Sequence, residues 1–421
     1  MDGPDQKLKV AFVCQPWDSF VPPVESGSLA IWIYQVIQRM KKFGEFTIYS
    51  KKKNKLPRRE ISEGMFCCRV PVGLDLWMNK IIRRIPSTVN EGKPFFSSVL
   101  YHLPYILKVA RDLRRQNIDI VHVMNFSQFV PIIRKFNPQT KIVLNMHCDW
   151  LTQLPRKLIE PRLRQTDMII GCSNYVTDRI RQKYPDYADR CSTVYNGVDL
   201  DQFKSGLGCA RRDDEIRLIY VGRISPEKGI HVLLDAFERV VQRYPKAVLE
   251  IVGPAGTAPI DFIVNISNEE KVRGLGMYYR EDYFKYLKNR LPANIATQVR
   301  FIGFVPNDRL KDHYSNADIL INPSFSESFG MSLIEAMACG LAVVASRVGG
   351  MPEIVDEGKT GVLVESGNVK ELSEAICGLI QSESRRRAMG RAGQDRVTRL
   401  FPWGNVVEKL HDTYMRVYST A

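Results

Sequence analysis

Short apolar runs alternate with stretches of helical period along the whole of this chain, and that alternation limits the folds open to it more than any other feature. In the first half, Lys9–Cys14, Phe46–Tyr49, Ile120–Met124, Ile142–Met146, Met168–Gly171 and Ser192–Tyr195 read as strands. Helices are predicted at Leu29–Lys42, Phe96–Arg115, Trp150–Arg164 and Tyr175–Lys183. The second half repeats the pattern. Its strands are predicted at Ile216–Val221, Val248–Val252, Arg300–Ile302, Ile319–Ile321, Val343–Ala345 and Val362–Val364. Its helices are predicted at His231–Arg243, Asp308–Ser315, Met331–Cys339, Val369–Ile380 and Glu383–Leu400. Strand–helix–strand units build a parallel sheet covered by helices on both faces. At 421 residues the chain can form two such domains, each with its own core. The expected class is α/β, with two doubly wound domains facing each other across a cleft. Residues 199–214, with Lys204-Ser205-Gly206-Leu207-Gly208 and Arg211-Arg212-Asp213-Asp214, have the composition of a linker that allows closure over a substrate. Residues 255–280 are longer and less patterned than a usual connection, and read as a mobile loop near the cleft or an added hairpin.

Composition narrows the class of partner. No run approaches the roughly 20 apolar residues a membrane-spanning helix needs. The longest apolar stretch, Val99 to Ala110, is interrupted by His102, Pro104 and Lys108. The opening Met1-Asp2-Gly3-Pro4-Asp5 does not read as a signal peptide. Nine cysteines without a C-x-x-C pair read as reduced thiols, so a cytoplasmic location is expected. The net charge of +14 lies almost wholly in the first half. There Lys51-Lys52-Lys53-Asn54-Lys55 and Arg58-Arg59 precede Leu74-Asp75-Leu76-Trp77-Met78-Asn79-Lys80-Ile81-Ile82-Arg83-Arg84-Ile85, which mixes bulky apolar residues with cations as an interfacial helix would. This pattern fits peripheral contact with an anionic membrane or an anionic acceptor, and equally a solvated loop with an ordinary amphipathic helix. No nucleic-acid-binding module is recognised.

Two motifs carry chemistry. In the first, the strand Leu218-Ile219-Tyr220-Val221 runs into Gly222-Arg223-Ile224-Ser225-Pro226-Glu227-Lys228-Gly229, placing Arg223 and Lys228 where ligands bind in open α/β sheets. Arg offers a fork for phosphate and Lys a point charge. In the second, Glu327 and Glu335 stand eight positions apart around Phe329-Gly330-Met331. That places one carboxylate in a loop and one about a turn into a helix. The first-turn N–H groups suit phosphate or sugar oxygens, Gly330 permits close approach, and the carboxylates accept from hydroxyls. Together the motifs suggest recognition of a sugar nucleotide.

The chain resembles the GT-B glycosyltransferases of family 4, which are retaining and use nucleotide sugars. The resemblance rests on Val221-Gly222-Arg223, Glu227-Lys228-Gly229, the paired glutamates, Ala338-Cys339-Gly340-Leu341-Ala342, Gly349-Gly350-Met351-Pro352-Glu353 and Gly361-Val362-Leu363-Val364. In the first half it rests on Asp119-Ile120-Val121-His122, His147 and Tyr195-Asn196-Gly197-Val198-Asp199. It covers nearly the whole chain and implies two Rossmann-like domains. These are an acceptor-side domain at 1–203 and a donor domain at 204–400, with a helix at 401–421 crossing back to the first.

By this resemblance Arg223 and Lys228 would hold the diphosphate and stabilise charge on the leaving nucleotide. Glu335 would accept ribose hydroxyls, and Glu327 would accept sugar hydroxyls. The amides near Phe329, Gly330 and Met331 would touch sugar and phosphate, and the main chain of Phe304-Val305 would meet the base. His147, at a strand end, would contact the donor sugar near its anomeric carbon. For Asn196 and Ser173 a structural role is as plausible, and His122 reads as a packing residue. Gly27 alone stands where the family has adjacent glycines approaching the diphosphate, and Gly253-Pro254-Ala255 lacks the family's acidic residue. The one Asp-x-Asp, Asp199-Leu200-Asp201, opens the linker and reads as structural, so no metal or other cofactor is expected. The reading is a retaining transferase using a nucleotide-sugar donor, for which uridine diphosphate is the family's commonest case. The acceptor is unidentified, and the basic first half favours an anionic or lipid-borne one. The alternatives are a nucleotide-sugar epimerase, a phosphorylase, or a non-catalytic subunit with the same fold.

Overall fold

A computed structural model describes residues 7–24, 27–53, 55–82, 94–203 and 215–419. Most of the expected linker (204–214), the end of the basic segment (83–85), Asn54, and Glu25-Ser26 beside Gly27 lie outside them.

The chain divides into two compact units, and the division falls earlier than residue 203. The first comprises Met1–Tyr195 with Trp403–Ala421, and the second Asn196–Pro402. Residues 196–203 belong to the second unit because their partners lie there. Val198 N–H donates to the Phe401 carbonyl, and the Phe203 ring packs edge-on against Tyr314.

The first unit is an eight-stranded sheet. Its strands are β1 (Leu8–Val13), β2 (Gly44–Lys51), β3 (Arg59–Ser62), β4 (Met65–Val70), β5 (Ile120–Met124), β6 (Lys141–Met146), β7 (Met168–Gly171) and β8 (Cys191–Thr193), in the order β3-β4-β2-β1-β5-β6-β7-β8. All neighbours are parallel except the β3–β4 hairpin. Sequence reading missed that hairpin. Its turn needs positive φ at both central residues, and here Glu63 (φ 50) takes a conformation usually left to Asn or Gly, beside Gly64 (φ 75). The helix Trp403–Ser419 packs Trp403, Val406, Leu410, Tyr414 and Val417 into the core with Trp32, Val36 and Val10.

Two predicted helices of this unit are broken. The stretch 96–115 begins as a short 3-10 turn, and the helix proper, Leu103–Gln116, starts only after His102 has turned left-handed (φ 55), with Pro104 in its first turn. The stretch 150–164 divides into Trp150–Gln153 and Arg156–Leu163, because Leu154 before Pro155 is held extended.

The second unit is a six-stranded parallel sheet of β9 (Ile216–Val221), β10 (Ala247–Val252), β11 (Val299–Gly303), β12 (Ile319–Asn322), β13 (Ala342–Ser346) and β14 (Gly361–Val364), in the order β11-β10-β9-β12-β13-β14. Residues 255–280 form no hairpin. They fold into short helical turns, Ile260–Ile263, Glu270–Gly274 and Leu275–Tyr279, that bury Val264, Val272 and Leu275 in this unit's core. In each sheet the chain reverses its direction of travel once, between β1 and β5 and between β9 and β12. Doubly wound sheets open a crevice at that point, at the carboxyl ends of the strands.

Candidate functional site

In the second unit the reversal point lies between the loop after β9 and the loop after β12, which carry the two motifs. Their backbones are pressed together. A Cβ on Gly229 (φ 70) would lie 2.1 Å from the Pro323 carbonyl oxygen, and Phe325 N–H donates to the Glu227 carbonyl at 2.8 Å. Only glycine fits at 229. This approach sets Lys228 Nζ 2.7 Å from Glu327 Oε2 across the crevice mouth, each side chain about one-fifth exposed.

Arg223 is also held. Its Nη2 lies 2.8 Å from Glu227 Oε1. The Glu227 side chain is buried, and its other oxygen accepts from the Ser225 hydroxyl. Sequence reading gave Glu227 no role. Its place within the cationic loop was visible, but its burial was not. The arrangement leaves the half-exposed guanidinium of Arg223 fixed at one edge and the ammonium of Lys228 at the other.

Gly330 (φ 119) opens the helix Met331–Ala338. The loop before it is anchored through the Glu327 carbonyl, which accepts from Gly350 N–H at 3.1 Å. Phe329 is buried edge-on against Phe401, so its ring is part of the core, while Met331 stays partly exposed.

Glu335 differs from Glu327 in environment. It is buried, with Oε2 accepting from the Tyr314 hydroxyl at 2.8 Å and Oε1 from Asn307 Nδ2 at 3.4 Å. Burial lifts its carboxyl from 4.5 to about 7, against the opposing pull of those two donors. Asn307 follows Phe304 and Val305 in the loop after β11, where the Phe304 ring is exposed and Val305 partly so. The structure therefore gathers Arg223, Lys228 and Glu327 at one corner of the sheet edge, and Phe304, Val305, Asn307, Tyr314 and Glu335 at another. Tyr314 and Asn307 come from segments with no motif character and were not legible in the sequence.

In the first unit the loops after β1, β5 and β6 are tied by Asn125. It sits at φ 59, donates through Nδ2 to Gln15 Oε1 at 3.1 Å, and accepts His147 N–H on Oδ1 at 2.7 Å. Gln15 Nε2 donates in turn to Asp18 Oδ2 at 3.0 Å, and burial raises Asp18 to about 6. Only an asparagine at the end of an apolar strand hinted at this knot. His147 lies edge-on to Trp32 with ring centroids 5.6 Å apart, and its Nε2 is buried without a hydrogen-bond partner. Burial lowers its pKa to about 3, so the imidazole is neutral near pH 7. Gly27 (φ 85) caps the helix Ser28–Met40 that carries Trp32.

Ser173, His122 and Asp199 have structural duties. Ser173 Oγ accepts Val176 N–H and caps the helix Asn174–Lys183. His122 is buried, its Nδ1 2.7 Å from the Tyr414 hydroxyl. Asn196 is buried with its Oδ1 unpartnered. Asp199 Oδ1 accepts from the N–H groups of Asp201 and Gln202, so the Asp-x-Asp is a helix cap. Among the described residues no group of three metal-ligating side chains is placed to hold an ion, and no helix is long and apolar enough to cross a membrane.

Two family models match this chain, glycosyltransferase family 4 over residues 31–202 and glycosyl transferases group 1 over 209–396. The chain belongs to the family 4 glycosyltransferases. It is a transferase with the GT-B fold. Spore coat protein SA of Bacillus subtilis is 26% identical over 413 residues, 94% of this chain and 96% of that one. D-inositol 3-phosphate glycosyltransferase 2 of Catenulispora acidiphila is 34% identical over 261 residues, 59% of this chain and 56% of that one. In fold the glycosyltransferase is similar to Anabaena HepE, solved in complex with UDP, with TM-score 0.67 and 19% identity over 97% of this chain and 100% of that one.

Proposed function

We propose that this glycosyltransferase takes its sugar from a nucleoside diphosphate sugar, with uridine as the base, and transfers it with retention to an anionic or lipid-borne acceptor. The observation that carries the reading is the Lys228–Glu327 pair at the reversal point, flanked by Arg223 on its buried Glu227 support. Two cations at the end of one strand suit a diphosphate and stabilise charge growing on it as the glycosidic bond breaks. They take the place that a metal ion has in other transferases. Glu335, buried and close to half-protonated near neutral pH, accepts a ribose hydroxyl, and the loop at Phe304-Val305 meets the base. Glu327 is released toward sugar hydroxyls when the diphosphate draws Lys228 away.

No carboxylate is assigned to a covalent glycosyl intermediate, since Glu327 is assigned to the sugar hydroxyls and Glu335 is buried against Tyr314 and Asn307. Attack from the leaving-group face, with a phosphate oxygen accepting the proton, fits both. HepE, similar in fold, was solved with UDP, which supports the base. A relative named for D-inositol 3-phosphate and the basic first half of this chain support an anionic acceptor.

Nucleotide release from a panel of UDP-, GDP- and ADP-sugars tests the proposal. Slow hydrolysis of a UDP-sugar alone, lost in Glu327→Ala and Lys228→Ala, is the expected result. Release from another base with UDP inert overturns the base. Hydrolysis that survives both variants overturns the site.

A further inference from the structure

The helix Gly73–Ile82 is inside out. Its two buried side chains are polar, Asp75 at 0% and Asn79 at 8% exposure. Its bulky apolar residues face water, with Trp77 61%, Leu76 56%, Leu74 51% and Ile81 39% exposed. Leu74, Trp77 and Ile81 follow one another at spacings of three and four, so they form one stripe. A surface helix of a globular unit ordinarily has the opposite polarity.

The inversion has a cause in the structure. Asp75 Oδ1 accepts Tyr105 N–H at 2.8 Å, in the first turn of the helix Leu103–Gln116, and Asn79 Oδ1 accepts His102 N–H at 3.5 Å. A carboxylate at a helix N-terminus is favourable for both hydrogen bonding and the helix dipole. Polar capping thus fastens the helix from its inner side and holds the apolar stripe outward.

The surroundings add two features. Val99 and Leu100, in the turn leading to the capped helix, are exposed as well. Cations lie near the helix. Lys80 is exposed on the helix itself, and Lys52 N–H donates to the Val70 carbonyl at 2.9 Å, three residues before the helix begins. Lys52 and Lys53 continue from Lys51 at the carboxyl end of β2.

We infer that this face docks on an anionic lipid surface, with Leu74, Trp77 and Ile81 inserting at the headgroup boundary and Lys80 and the Lys51-Lys52-Lys53 segment meeting lipid phosphates. An exposed apolar stripe with lysines beside it is the chemistry of an interfacial helix, and neither part holds a membrane well alone. The inference does not depend on the identity of donor or acceptor.

The test uses the full chain and vesicles of phosphatidylcholine with or without phosphatidylglycerol. Of the five tryptophans, Trp32, Trp150 and Trp403 are buried and Trp17 is partly exposed, while Trp77 is 61% exposed on the stripe, so a shift that Trp77→Phe removes reports insertion. The expected result is flotation with a blue shift on phosphatidylglycerol vesicles only, reversed by about 0.5 M salt, where charges are screened beyond about 4–5 Å. Leu74→Ser with Trp77→Ser should weaken partitioning roughly tenfold or more at unchanged Tm. Trp77→Phe should keep flotation and lose the shift. No flotation on anionic vesicles, or flotation of the double variant equal to wild type, overturns the inference. Self-association without lipid that the double variant abolishes also overturns it, and assigns the face to a second copy of the chain.

Discussion

Replacing Glu335 by glutamine should stabilise the protein while damaging its function, and the effect should depend on pH. Burial raises this carboxyl from 4.5 to about 7 in the folded state. Between those values the folded protein keeps a proton that the unfolded chain has lost, so stability falls as pH rises from about 4.5 to 7. Above 7 the buried charge costs roughly 3 kcal/mol, at about 1.36 kcal/mol per pH unit. Glutamine has nearly the same shape, can still accept from Tyr314, and carries no charge to bury. Glu335→Gln should therefore match wild type near pH 4.5 and exceed it by a few kcal/mol at pH 8, a Tm rise of about 5–10 °C for a unit of this size. Scanning calorimetry at pH 5 and pH 8 measures both ends. If glutamine is the ribose-side partner's poor substitute, donor affinity should fall at least tenfold in the same variant. A Tm difference that is the same at both pH values would refute the electrostatic argument. A variant that is stabilised yet binds donor normally would refute the assignment of Glu335 to the ligand.

Three further outcomes are expected. Glu227→Gln should lower Tm, because its amide N–H must face either Arg223 or Ser225, and should lower kcat about 10- to 100-fold at temperatures where the variant stays folded, because Arg223 loses the charge that aims it; steady-state kinetics with unchanged kcat would sink the idea. In Gly349→Ala the new Cβ would fall 1.5 Å from the Glu327 carbonyl oxygen at a residue with φ 57, so a loss of about 2–4 kcal/mol and a weaker donor site should appear together in urea unfolding and titration. Three buried histidines, His102, His122 and His231, and the partly buried His147 have pKa values lowered to about 4, 3, 4 and 3. The unfolded chain takes up protons below about 6.5 that the folded one refuses, so their share of stability is present above 6.5 and is lost as pH falls through 4. Glu335 and Asp18 oppose this between about 7 and 4, and urea midpoints that do not decline between pH 6 and pH 4 would count against the histidine account.

The sequence by itself determined the class of each half and the carriers of charge at the site. Most of the twelve strands read from the sequence were legible because a strand buried on both faces must be apolar throughout, a property of a few adjacent residues, whereas the edge strand β11 alternates buried and exposed positions. Arg223, Lys228, Glu327 and Gly330 were legible for a related reason, since loops at strand ends announce themselves by a break in that pattern. What the sequence left open depends on residues far apart in the chain. Strand order, and with it the two reversal points, follows from which helices cover which faces. The β3–β4 hairpin was hidden by a glutamate in a left-handed turn. Glu335 looked like Glu327 in one dimension, and only Tyr314 and Asn307, 21 and 28 positions away, separate a buried carboxyl from an ion-paired one. The segment from Leu74 to Ile82 showed its mixture of apolar and charged residues plainly. Which side of it faces water was decided by Asp75 and Asn79 reaching backbone N–H groups at the start of a helix 23 to 30 residues away, because those buried donors would be left unpaired if the apolar stripe turned inward.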